Sequence, residues 1–208
     1  MGKTHLQILS RGVSDKRPQA VRGAIIVLSR IGDPQAFNIL KQAATNVDRS
    51  VRLELVTQLK DCPGPEALEI LKLAVTDADA EIRLAAIKSI TSQRGQAAFD
   101  TVGGIISDQK FVTLDDNDKQ RILNAYSILG GEEAVGALGT MIRRINPLRN
   151  PILSSLRRVS IEALCHNRSE RAEQLMVQLA NSWRLDIRRQ AQAALKRRRE
   201  IIYGGGDE

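Results

Sequence analysis

The chain repeats itself. Ala20, Val51, Ile82, Arg121, Leu156 and Ile187 are each followed eight residues later by Leu28, Leu59, Ile90, Leu129, Leu164 or Leu195. Midway stand Ala24, Leu55, Ala86, Ala125, Ser160 and Ala191. The anchors are spaced by 31, 31, 39, 35 and 31 residues. Offsets of zero, four and eight fall on one helical stripe, about 80° wide, so each anchor opens an α-helix that buries a narrow face. The mostly small middle residue lets a neighbouring helix approach closely.

A second apolar segment lies between most of these helices: residues 34–40, 65–71, 133–138 and 172–176. Turn residues separate the segments. Gly32-Asp33-Pro34 and Cys62-Pro63-Gly64-Pro65 place a proline at a first helical position, and Gly130-Gly131 serves the same purpose. Units this short bury a core only by stacking on their neighbours. The expected fold is all-α, a right-handed α-solenoid of about six helix-turn-helix repeats. Aromatic residues at 3% are too few for a β-sandwich or barrel and argue against aromatic stacking on nucleic-acid bases.

The wording of the repeats carries a resemblance. Asp48-Arg49-Ser50-Val51-Arg52 and Asp79-Ala80-Glu81-Ile82-Arg83 share an Asp-x-x-apolar-Arg start. Leu156-Arg157 and Ile187-Arg188 keep the apolar-Arg pair, and Asp118 keeps the acid. Residues 18–200 resemble the short HEAT repeats common in bacterial proteins, the phycobilisome-lyase-like type. The resemblance implies a structural ladder in Asp48, Arg52, Asp79, Arg83, Asp118, Arg157 and Arg188. Asp48 and Asp79 are expected at helix N-caps or first turns. Arg52 and Arg83 are expected to bond the Asp of their own or the next repeat.

Two stretches break the period. Eight extra residues precede Arg121, with an acidic run at 108–118, and four extra precede Leu156, with a proline loop at 144–151. The acidic run lacks the Gly and distal Glu of an EF-hand and reads as helix-capping acids. The proline loop reads as a bend in the superhelix or a partner contact.

Catalytic constellations are not evident. His5 and His166 are the only histidines, too few for a zinc site beside Cys62 and Cys165. The two cysteines read as reduced core thiols, although Cys165-His166 could form a nucleophile pair if exposed. Gly103-Gly104 lacks the Lys of a phosphate loop, and no Gly-x-Ser-x-Gly elbow occurs. Similarity to bilin lyases and to HEAT-like DNA glycosylases offers two enzyme readings. Pocket residues for a tetrapyrrole are scarce, and Trp183 and Tyr126 stand in different repeats with no evident paired acid. The expectation is no enzyme, no cofactor and no metal. The absence of a leader-like or 18-residue apolar run points to a cytoplasmic location.

The net charge of +7 is uneven. Residues 1–142 hold 17 Lys+Arg and 17 Asp+Glu, whereas residues 143–199 hold 14 and 4, a net +10. The expected domain is therefore one solenoid over 1–203, with a neutral body, an Arg-rich end at 143–199 and a flexible tail at 204–208. Arginine binds carboxylate and phosphate bidentately. Offsets two and six lie opposite the buried stripe. They place Arg22, Leu53, Leu84, Lys88, Leu123, Arg158 and Arg189 on an expected concave groove, apolar in the middle and basic at one end. The expected role is a non-enzymatic adaptor holding an acidic protein segment. The alternative is nucleic-acid or anionic-membrane binding through the Arg-rich repeats.

Overall fold

The computed structural model describes residues 3–144 and 150–203. Residues 145–149 of the proline loop and the tail at 204–208 lie outside the described residues. Among the described residues there are eleven α-helices and no strand: α1 (Lys3–Val13), α2 (Pro18–Ile31), α3 (Pro34–Ala43), α4 (Arg49–Leu59), α5 (Pro65–Ala74), α6 (Ala80–Gln93), α7 (Gly95–Ser107), α8 (Asp116–Arg143), α9 (Pro151–Leu164), α10 (Glu170–Ala180) and α11 (Leu185–Tyr203). A short 3-10 helix, Gln109–Thr113, precedes α8. The all-α repeat fold is as expected, and the six anchor segments all lie in helices. The chain divides into two compact units, Met1–Thr101 and Val102–Glu208.

In the N-terminal unit α2, α4 and α6 pack side by side, and α1, α3 and α5 form a second row. The anchor stripe supplies the core. Val51, Leu55 and Leu59 are buried, as are Ile82, Ala86 and Ile90, and each large apolar side chain buried this way contributes about 1.5–3 kcal/mol. Side chains one repeat apart tie the α2/α4/α6 row together through backbone carbonyls. Cys62 Sγ donates to Ser29 O at 3.4 Å, Ser89 Oγ to Val56 O at 3.3 Å and Gln93 Nε2 to Leu59 O at 3.2 Å.

The predicted punctuation is in place. Gly32 ends α2 at φ +65, with its N–H on Leu28 O. Asp33 then caps α3, accepting from Ala36 N at 2.7 Å, and Pro34 is its first residue. Asp48 caps α4 and Asp79 caps α6. In the acidic run Asp108 caps the 3-10 helix and Asp115 caps α8, so these acids do satisfy helix N-termini.

In the C-terminal unit α8 is two helices joined at Gly131, whose φ of +48 and ψ of −122 interrupt the helical backbone. Asn167, fully buried, braces this kink. Its Nδ2 donates to Ser127 O at 2.9 Å and Gly131 O at 2.7 Å. The first half of α8 packs on α9, where Gln120 Nε2 reaches Val159 O, and α9 packs on α11. The second half and α10 form the other row, with Gly139 leaving room for Leu175.

Two helices have no counterpart in the repeat alignment. α1 carries Leu6, Leu9 and Val13, and α7 buries Ala98, Phe99, Val102 and Ile105. Both show helical spacing, but neither carries the Asp-x-x-apolar-Arg wording. The alignment is also displaced in α8. Arg121 is not the buried anchor: it is partly exposed, and Ile122 is buried instead. The eight-residue insertion puts the cap at Asp115 and carries Asp118 inside the helix.

Candidate functional site

The apolar-Arg wording builds a ladder, with different acids from those expected. The Arg52 guanidinium grips Asp77 with two hydrogen bonds, Nε at 2.7 Å and NH2 at 3.1 Å, and donates through NH1 to Asn46 O at 2.8 Å. It therefore closes its own preceding loop and clamps the next repeat. Asp77, not Asp48 or Asp79, is its carboxylate. Burial is the largest influence on the Asp77 pKa and pushes it up, but the Arg52 hydrogen bonds, the Asp79 N–H and the Arg52 charge together outweigh it and leave the carboxyl below its ordinary value. Asp79 is taken by Arg49, at 2.6 Å, and Arg49 also bonds Glu81. Arg83 donates to Asp77 O and Ala78 O, each at 3.0 Å.

The same device recurs in the C-terminal unit. Arg157 is buried and donates to Ile142 O at 3.0 Å, Arg144 O at 2.9 Å and Asp186 Oδ2 at 2.8 Å. Asp118 is buried as well and holds Arg121 at 3.1 Å, so it is an internal partner and not a cap. Arg188 departs from the ladder. It is exposed, with no hydrogen bond or ion pair from its side chain among the described residues. Its helix has no further described repeat to clamp.

The expected groove residues separate. Arg22, Leu53 and Leu84 are half-buried at matching positions of α2, α4 and α6, and Lys88 is exposed one turn beyond Leu84. Leu123 is not a surface residue: it is 0% exposed. In the first half of α8, positions 118, 119, 122, 123, 125 and 127 are all buried. At 100° per residue they cover roughly half the helix, so the opposite side assumed for Leu123 is packed too. Arg158 is exposed but paired at 2.7 Å with Asp116, which also accepts from Ser155 Oγ. Arg189 is exposed and carries no pair among the described residues.

The Arg-rich stretch therefore has two populations. Arg157, Arg158, Arg184, Arg197 and Arg198 are engaged. Arg197 binds Glu162 at 2.5 Å, and Arg184 stands 3.5 Å from Asp186. Arg198, 3% exposed, donates to Leu164 O at 3.0 Å, Ser169 O at 3.1 Å and Asn167 O. Within Lys196-Arg197-Arg198-Arg199, Arg198 is thus a core group. Arg143, Arg144, Arg168, Arg171, Arg188, Arg189, Lys196 and Arg199 are exposed, and their side chains form no hydrogen bond or ion pair among the described residues. Arg149 lies outside the described residues.

Sequence reasoning also passed over the setting of Trp183, which is 89% exposed at the entrance to α11. The Cys165-His166 pair is not activated. Cys165 Sγ donates to Ala194 O at 3.2 Å, and burial pushes its thiol up to about 11, which keeps it protonated. Burial also lowers the His166 pKa, which disfavours the charged ring in the fold. No three His, Cys, Asp or Glu side chains converge among the described residues. No described helix is long and apolar enough to cross a membrane.

No family model matches the chain, and no curated protein matches it. Solved structures do. Human deoxyhypusine hydroxylase, in complex with glycerol, is 16% identical at a TM-score of 0.39, covering 96% of this chain and 86% of its own. One engineered protein is 15% identical at a TM-score of 0.41, with 96% and 98% covered, and another is 13% identical at 0.43, with 92% and 57% covered. The expectation that this chain is no enzyme is corrected here. One of the matched proteins is an enzyme by its name. A likeness this distant carries no activity over to this chain.

Proposed function

We propose that this chain is a short HEAT-type repeat adaptor that binds an acidic segment of a protein partner. The observation that supports it is the set of cations in the C-terminal unit that form no ion pair among the described residues. Arginines placed to hold repeats together find carbonyls or acids, whereas Arg189, Lys196 and Arg199 on α11 face water. Side chains arranged for stability alone gain from nearby opposite charge. Leaving a row of them uncompensated favours a partner that brings the missing acids.

The test is binding of a synthetic Glu/Leu peptide to the full chain at physiological salt, against the same peptide with Gln for Glu. Selective capture of the acidic form is expected. Equal affinity for both peptides sinks the reading. Tighter binding of a 20-base-pair DNA duplex, with affinity falling steeply as salt rises, also replaces it with phosphate recognition.

A further inference from the structure

α11 is packed on one side only. Its buried residues, Ile187, Ala191, Ala194 and Arg198, recur at helical spacing and face α9 and α10. The opposite stripe reads Leu185, Arg189, Gln192, Lys196, Arg199, and every member is exposed. Steps of four, three, four and three residues keep these side chains in line along about 21 Å of helix. Of the nearby acids, Asp186 is turned to Arg157 and Arg184 and Glu162 to Arg197. Glu200 is exposed at the far end of the stripe, four residues after Lys196 and beside Arg199, so the acid-free part of the stripe runs from Leu185 to Lys196. In the bend just before α11, Trp183 is almost wholly in water, two residues before the half-exposed Leu185.

This pattern fits one kind of occupant. Trp and Arg are the residues that dominate binding energy at protein interfaces, and an apolar anchor beside a charged row is how a groove reads a helix. A straight row with 3.6-residue spacing matches carboxylates spaced three and four apart on a second helix. A bilayer would need apolar residues along the whole stripe, whereas here they stand only at one end.

We propose that the outer stripe of α11 docks an acidic amphipathic helix of a protein partner. An apolar side chain of that helix covers Trp183 and Leu185, and its carboxylates pair with Arg189, Lys196 and Arg199. The proposal rests on the adaptor reading and narrows it to one helix.

Trp183 is the chain's single tryptophan, so its fluorescence reports on this site directly. The probe is an 18-residue amphipathic peptide with Leu and Glu at three- and four-residue spacing, titrated into the full chain at physiological salt. A saturable blue shift of Trp183 emission is expected. Charge reversal by R189E with K196E should weaken binding at least about tenfold, while K16E with K41E, at exposed positions of the N-terminal unit, leaves it unchanged. With a labelled peptide, W183A should lower affinity and leave the salt dependence intact. All these side chains are exposed or half-buried, and a far-ultraviolet circular dichroism spectrum checks that each variant folds. If the peptide binds with no change in Trp183 emission and R189E/K196E is silent, the α11 site is wrong and the adaptor reading stands. If the peptide does not bind at all, both fall. If duplex DNA or phosphatidylserine vesicles shift Trp183 and the peptide does not, both are replaced by anion binding of that kind.

Discussion

Arg198 and Arg199 are adjacent in sequence and opposite in what they should do. Arg198 is buried and donates to three carbonyls of the α9–α10 connection, those of Leu164, Asn167 and Ser169. Arg199 is exposed and bonded to nothing described. Arg198→Met keeps most of the volume and removes the donors. A hydrogen bond to a charged group is worth a net ~1.5–3 kcal/mol. Three share one guanidinium here, and restoring that buried charge to water returns part of the gain. The expected loss is therefore about 3 kcal/mol rather than the full threefold sum. In a unit of this size that corresponds to about 10 °C or more in melting temperature. Arg199→Met should stay within ~0.5 kcal/mol.

Urea titration followed by circular dichroism measures both variants. A second readout localises the damage. Cys165 is bonded to Ala194 on the same helix, so its reactivity toward a thiol reagent should rise in Arg198→Met and not in Arg199→Met. Arg198→Lys should fall between, because an ammonium has three donors but no planar fork. If Arg198→Met and Arg199→Met unfold alike, the buried guanidinium is not holding the connection and the reasoning fails.

Three further outcomes follow from local geometry. Gly131→Ala should cost about 1–3 kcal/mol, since its φ of +48 is strained for an L side chain while nothing crowds the added carbon; Gly136→Ala, exposed inside the second half of α8, should stabilise by up to ~1 kcal/mol, and thermal melts would refute this if the two variants shifted in the same direction. Burial lowers the His166 pKa from its ordinary 6.5, so the unfolded chain takes up a proton first; the associated stability is complete above pH 6.5 and is lost as pH falls toward the folded value. His166→Gln should flatten the decline in melting temperature between pH 7.5 and 5.5, and an unchanged slope would discard this assignment. Iodoacetamide should label Cys62 well before Cys165, whose thiol burial raises to about 11, and mass spectrometry of the modified peptides would show the order.

The helical stripe was legible because burial is a periodic demand on sequence. Val51, Leu55 and Leu59 satisfy it in any chain that folds this way, and so do Ile82, Ala86 and Ile90. Capping was legible for a similar local reason: Asp33, Asp48 and Asp79 each bond an N–H two or three residues on. Legibility stopped where an insertion slid the register. Between Ile82 and Arg121 an extra helical segment, a 3-10 turn and a new cap at Asp115 intervene, and period counting distributes those residues wrongly. Arg121 then occupies a place that belongs to Ile122, and Leu123 is assigned to a surface that a second packing face has closed. α7 was open to detection from Ala98, Val102 and Ile105, but a search for repeated wording passes over helices that lack it.

Charge was harder to read than apolarity because a guanidinium reaches farther than its own helical turn. Arg52 grips an acid 25 residues ahead, and Arg157 one 29 ahead, so which arginines are spent depends on packing. Sequence count gives residues 143–199 a net +10, a number that describes the stretch and none of its surfaces. Folding divides it into buried Arg157 and Arg198, paired Arg158 and Arg197, and the open row on α11. A charge consumed by carbonyls still counts toward the total but presents nothing to a partner. The relevant quantity for recognition is the charge remaining after internal bonds are formed. By that measure Arg158, which looked equivalent to Arg189 in the repeat, is half neutralised by Asp116. Arg189 keeps its whole charge within two turns of an exposed tryptophan. Reversing Arg189 should therefore disturb binding and leave folding alone, while reversing Arg158 sets an acid against Asp116 and should disturb folding first.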